Sequence, residues 1–300
     1  RGKVHASPKQ IADAHSFPDH DLRQTLSPVE LGEAWLRQFN ELEQRRKKKA
    51  GVKDESRYVQ EKSLSFRDGF HTPYPVILVI HASVGSGHRS AAIAVAQALE
   101  HMRDEQLPAY PDGSTLDPNT HIAILDILAW GDRHYSGDKA VSMFTGASRP
   151  IYDLTWRYTF TGRLLWSGGT FLNYMVWRKF TRFIGHIKPQ AVVATHIMGA
   201  NMSAGARMIC RQTFPLVCVP TDYETEGLWP HKACDTFCVA TDAMTETLRA
   251  RKIAESRIRI TGIPVRQGFS KAYDRSKLRK EFDFRSEERR VGKECRSRWS

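Results

Sequence analysis

Hydrophobic positions along the chain follow two rhythms, and the switch between them predicts the elements. Val76-Ile-Leu-Val-Ile80 is an unbroken aliphatic run, as a strand buried on both faces reads, and this implies a parallel sheet. Gly85 and Gly87 then permit a sharp turn. Beyond it Ala92, Val95 or Ala96, Leu99 and Met102 recur at helical spacing, so a strand feeds an amphipathic helix through a glycine loop. Further apolar runs at 121–128, 188–196, 214–222, 235–241 and 258–262 predict five more strands, with helical segments between several of them. Such alternation predicts an α/β fold, a doubly wound parallel sheet with right-handed crossovers, whose ligands bind outside the carboxyl ends of the strands. Gly85, His88, His196 and Asp222 all fall at those ends.

Before the first strand, residues 1–72 read as a polar, basic and mobile extension holding one amphipathic helix. Ser27-Pro-Val-Glu30 is its start, with Ser27 as N-cap, Pro28 in the first position and Glu30 able to close a capping box. Leu31, Trp35, Phe39 and Leu42 share one face, and Arg45-Arg-Lys-Lys-Lys49 reads as a solvated C-terminal end.

Composition narrows the class. The 300 residues are 41% hydrophobic, enough for a real core, and the formal charge of +12 with a pI near 9.6 favours anionic partners, lipid or nucleic acid. Cys210, Cys218, Cys234, Cys238 and Cys295 form an odd set in mostly apolar surroundings, which suits a reduced cytoplasmic chain. Cys234 and Cys238 lack the second pair a zinc site needs, so no metal is expected. No secretory signal and no bilayer-spanning run is seen, so membrane contact is expected at the surface. The stretch 285–300 has no periodicity and resembles the translation of a DNA sequencing adapter; it is read as a scar and set aside.

Between Lys139 and His186 aromatic residues, among them Trp156, Trp166 and Trp177, interleave with cations such as Arg178, Lys179 and Arg182. The mixture suits interfacial helices on anionic lipid, nucleic-acid binding, or a helix pair packed on the core. The density of tryptophan favours Trp156, Trp166, Trp177 and Arg178 as membrane contacts, and with no recognition motif present nucleic acid is not expected as a partner.

The glycine loop carries the chemistry. A nucleotide-triphosphate loop needs a lysine where His88 and Arg89 stand, and a dinucleotide fingerprint lacks its third glycine at Ser90. His88 instead opens a helix, where partial positive charge disfavours imidazolium and leaves a neutral imidazole ready as a base. The segment Ala82-Ser-Val-Gly-Ser-Gly-His-Arg-Ser-Ala-Ala resembles the glycine-rich loop of monogalactosyldiacylglycerol synthases and bacterial processive diacylglycerol glucosyltransferases. Val193-Ala-Thr-His196, Pro220-Thr-Asp-Tyr-Glu-Thr-Glu-Gly-Leu-Trp-Pro-His231, Thr236-Phe-Cys-Val-Ala-Thr241 and Thr261-Gly-Ile-Pro-Val265 resemble later segments of the same family. Gly-Ser-Gly in place of three glycines, and Ile197-Met-Gly where relatives often have proline, are departures that touch acceptor detail.

The resemblance implies a Rossmann-like domain at 73–263, the N-terminal acceptor half of a GT-B glycosyltransferase, with 264–284 beginning a truncated C-terminal donor domain. It implies inverting transfer of a hexose from a UDP-sugar to diacylglycerol by a peripheral enzyme on the cytoplasmic face of the membrane, with the UDP-sugar as substrate and no cofactor. The chain as written would then be an inactive fragment lacking its donor domain. His88 is expected as base. Asp222 either orders its strand end or orients His88 or the acceptor. Gly85 and Gly87 shape the acceptor site, while His196 is either an acceptor contact or structural. Trp229 and His231 line the acceptor or lipid site unless Trp229 packs under a loop. The rival readings are the N-acetylglucosaminyltransferase of the peptidoglycan lipid precursor and a module that only binds membrane.

Overall fold

The computed structural model describes residues 26–50, 74–131, 177–222, 229–230, 232–270 and 273–283. The chain divides into two compact units, Arg1–Arg266 and Gln267–Ser300. In the second, α6 (Arg275–Glu281) follows a short 3-10 turn and is capped by Asp274, whose carboxylate accepts from the Ser276 and Lys277 amides.

The first unit is built on six parallel strands: β1 (Val76–His81), β2 (His121–Asp126), β3 (Ala191–Ala194), β4 (Leu216–Cys218), β5 (Thr236–Val239) and β6 (Ile258–Ile260). All six expected strands are present, five of them shorter than the apolar runs. Their order in space is β2-β1-β3-β4-β5-β6. Every pairing is parallel, with Val76 opposite His121 on one side of β1 and Ile77 opposite Ala191 on the other. The chain runs outward from β1 to β2 and then returns to lay β3 on the other side of β1. The order therefore reverses between β1 and β3, where an open α/β sheet forms its ligand crevice.

Every residue of β1 is buried. Alternation then divides its side chains between two cores. Ile77 and Val79 pack with Ala92 and Ala96 of α2 (Gly87–Asp104), while Val76, Leu78 and Ile80 join a larger core. That second core holds residues of α1 (Pro28–Ala50), α3 (Arg178–Ile187), α4 (Ile197–Ile209) and α5 (Asp242–Ala250). Helices on both faces make the fold α/β and Rossmann-like.

The expected capping box is formed: the Ser27 amide and hydroxyl both donate to Glu30 Oε2, at 2.8 and 2.7 Å. The helix it starts is, however, part of the domain rather than a separate mobile extension. Trp35 and Phe39 are fully enclosed, Phe39 lies 5.8 Å edge-on to Phe183, and Trp130 lies 4.2 Å from Phe183. A β-carbon on Gly32 would sit 1.9 Å from the Ile124 carbonyl oxygen, so α1 lies directly on β2.

This packing corrects the membrane reading where it can be compared. Trp177 is buried in the core and its indole N–H donates to the Ile127 carbonyl at 3.1 Å, so it is no lipid contact. Neighbouring cations turn inward: Arg182 makes a two-pronged pair with Glu43 of α1, and Lys179 donates to Asn40 and to the Ala129 carbonyl. Arg178 is half-buried. Trp156 and Trp166 lie outside the described residues. Among the described residues no helix is long and apolar enough to cross a membrane.

Candidate active site

The site grows from the end of β1. After His81 the chain turns through Ser83–Ser86, and Gly85 has φ +80°, a left-handed conformation that a side chain would strain. Asp126, at the neighbouring end of β2, accepts from the Ser83 amide at 3.1 Å and from the Leu128 amide at 3.1 Å. One carboxylate thus ties down the loop and stops β2 two residues before its apolar run ends, starting the 3-10 turn Ile127–Trp130. Gly87 then opens α2; among the described residues nothing lies within 4 Å of where its β-carbon would be, and no side chain caps the helix.

His88, half-buried in the first turn of α2, is held by the end of β3. The Thr195 amide donates to the Ile80 carbonyl at 2.9 Å, and its hydroxyl donates to the His88 carbonyl at 2.9 Å. Its own carbonyl lies 2.9 Å from His88 Nδ1, and the Thr221 hydroxyl lies 2.7 Å from the same nitrogen. A carbonyl oxygen can only accept, so Nδ1 carries a proton, which the Thr221 oxygen shares. In the neutral ring the lone pair is then on Nε2, as a general base requires.

His196 stands edge-on to His88, with ring centroids 4.5 Å apart and an interplanar angle of 86°. It is the N-cap of α4, and its Nδ1 accepts from the Met198 amide at 3.1 Å. A ring accepting at Nδ1 carries its proton on Nε2. Burial, aided by His88 and His81, pushes its pKa down to about 3, so it stays neutral. His81 is lowered too, chiefly by burial and against the pull of Asp126.

These shifts predict a sensitivity to acid. The unfolded chain takes up protons at about 6.5 while folded His196 holds out to about 3, so the unfolded state binds more protons in that window. Stability is full above the unfolded value and falls as pH drops towards 3, by at most about 1.4 kcal/mol per pH unit for each such histidine. Melting temperatures measured from pH 7 to pH 5 are expected to fall, and to fall less in His196→Asn.

The structure thus brings Gly85, Gly87, His88 and His196 together at the point where strand order reverses. Asp222 is exposed, and the side chain reaching His88 is its neighbour Thr221. Trp229 is buried in the hydrophobic core and lies edge-on to Phe237 at 6.4 Å. His231 lies outside the described residues. Thr195, Thr221, His81 and Asp126 were not singled out from sequence; Val193-Ala-Thr-His196 and Pro220-Thr-Asp222 already contained the two threonines.

An open parallel α/β sheet places its ligand crevice at this switch point, and the fold by itself does not choose the chemistry. The choice comes from comparison. The model of the monogalactosyldiacylglycerol (MGDG) synthase family matches residues 88–265, more than half of the chain, and the chain belongs to that family. His88, Thr195, His196 and Thr221 all lie inside the match. A processive diacylglycerol beta-glucosyltransferase of Bacillus licheniformis is 32% identical over 82 residues, covering 22% of this chain and 21% of that protein. The chain therefore matches about a fifth of that relative's length. Among solved structures, the lipopolysaccharide outer core galactosyltransferase WaaB in its apo form aligns with a TM-score of 0.32 at 12% identity, over 62% of this chain and 44% of that one.

Proposed function

We propose that the protein carrying this chain transfers a hexose from a UDP-sugar to the hydroxyl of diacylglycerol, with inversion, and that the first unit is the acceptor half of a GT-B enzyme. The observation that carries the reading is the fixed tautomer of His88. Thr195 and Thr221 hold Nδ1, so Nε2 is the nitrogen that takes the acceptor's proton as its oxygen attacks the sugar. Membership of the MGDG synthase family supplies the acceptor class. Departure of UDP needs its developing charge stabilised, and that task is assigned to the donor domain expected from residue 264 onward.

The enzyme would work as a peripheral protein on the cytoplasmic face, its net positive charge drawing it to anionic lipid. The test is acceptor choice by the full-length protein. Supplied with UDP-hexoses and vesicles holding both diacylglycerol and the peptidoglycan lipid precursor, it is expected to glycosylate diacylglycerol. Product on the precursor alone would overturn the assignment.

A further inference from the structure

His88 and His196 are locked in opposite tautomers by different elements. The carbonyl of Thr195 requires a proton on His88 Nδ1 and leaves Nε2 as an acceptor. The Met198 amide requires a lone pair on His196 Nδ1 and leaves Nε2–H as a donor. None of the described residues takes that Nε2–H, although His196 as a residue is only 8% exposed. The two rings stand edge-on, with centroids 4.5 Å apart.

We infer that the two histidines recognise a hydroxyl as a pair: the hydroxyl donates its proton to His88 Nε2 and accepts from His196 Nε2–H. This rests on the reading of His88 as the base. A hydroxyl has one proton and two lone pairs. The pair engages the proton and one lone pair, and the second lone pair points at the sugar. An ester carbonyl has no proton for His88 and an ammonium has no lone pair for His196, so among the polar groups of a lipid the free hydroxyl is selected. In the reaction, a bond forms between that oxygen and the anomeric carbon while the bond from that carbon to the UDP oxygen breaks, and UDP leaves with the electron pair. The hydroxyl proton passes to His88 Nε2 and then to solvent. His196 keeps its proton throughout.

The role separates from capping by substitution. In His196→Asn the amide oxygen stands near the position of Nδ1 and still caps α4, a task asparagine performs well, but the Nε2–H is gone. The expected result is a melting temperature close to wild type at pH 7.5 and transfer efficiency down by about 10- to 100-fold. Wild-type transfer in this variant would reduce His196 to a cap and overturn the inference. A second measurement does not depend on activity: nitrogen-15 chemical shifts of the wild-type protein should show Nδ1–H at His88 and Nε2–H at His196, and the same tautomer at both would also overturn it. If the wild type ignores diacylglycerol but glycosylates another alcohol, and His196→Asn weakens that transfer, the assigned acceptor fails and the paired recognition stands.

Discussion

Replacing His88 with alanine is expected to lower sugar transfer by about 10²- to 10⁴-fold, the range removed with a general base, while the protein stays folded. The fold should survive because the Thr195 hydroxyl still donates to the His88 carbonyl, linking the end of β3 to α2, and the Thr195 amide still donates to Ile80 of β1, neither needing the imidazole. His88→Asn sharpens the test. Its amide can still donate to the Thr195 carbonyl from near the position of Nδ1, but nothing replaces Nε2. It is expected to match the alanine variant in rate and to exceed it in stability. Initial rates and thermal melts on the same preparations check both, and a fast asparagine variant would show that Nε2 is not the base.

The second large effect is structural and falls far from the chemistry. Gly32→Ala is expected to destabilise the domain by about 3 kcal/mol or more. The new β-carbon would lie 1.9 Å from the Ile124 carbonyl oxygen and 3.2 Å from the Leu125 side chain. The nearest obstacle is backbone in a strand paired to β1, so it cannot swing aside. Relief requires α1 to lift from the sheet, which uncovers Trp35 and Phe39. Denaturant melts should show the loss, and a variant as stable as wild type would mean that α1 is dispensable to this core. Phe39→Ala, which leaves the helix backbone in place and empties a fully buried site, should cost about 3–5 kcal/mol by a cavity mechanism.

The sheet was legible because strands buried on both faces must be apolar at every position, and Val76–Ile80 is. Strand ends were less so. Asp126 stops β2 by accepting from the amides of Ser83 and Leu128, and His196 turns the chain into α4 by accepting from Met198; an apolar run does not record such bonds. The first helix was read correctly from Ser27 to Leu42, but its partner was hidden because burial of Trp35 depends on residues near 121 and 183. Trp177 was misread for a related reason. Aromatic and basic residues in mixture describe an interfacial helix and equally a packed helix whose cations find carboxylates on a neighbour, as Arg182 finds Glu43.

In the site, His88 stood out because glycine turns precede it at a strand-to-helix junction. Its partners did not, since Thr195 and Thr221 lie 107 and 133 residues away in sequence. Asp222 was singled out at the carboxyl end of its strand, and the fold gives the contact with His88 to the hydroxyl of Thr221 beside it. A carboxylate at Nδ1 would favour the protonated ring. A carbonyl and a hydroxyl fix the tautomer without adding charge, which suits the base role proposed for His88.

The central claim is that one clamped histidine activates a diacylglycerol hydroxyl for a single displacement at the sugar. Its most direct test is the nuclear magnetic resonance spectrum of the glycolipid made by the full-length protein from an α-linked UDP-hexose. The account predicts a β-linked hexose on the free hydroxyl of diacylglycerol, read from the coupling of the anomeric proton. An α-linked product would mean retention through a second displacement, and would contradict a single displacement with His88 as base.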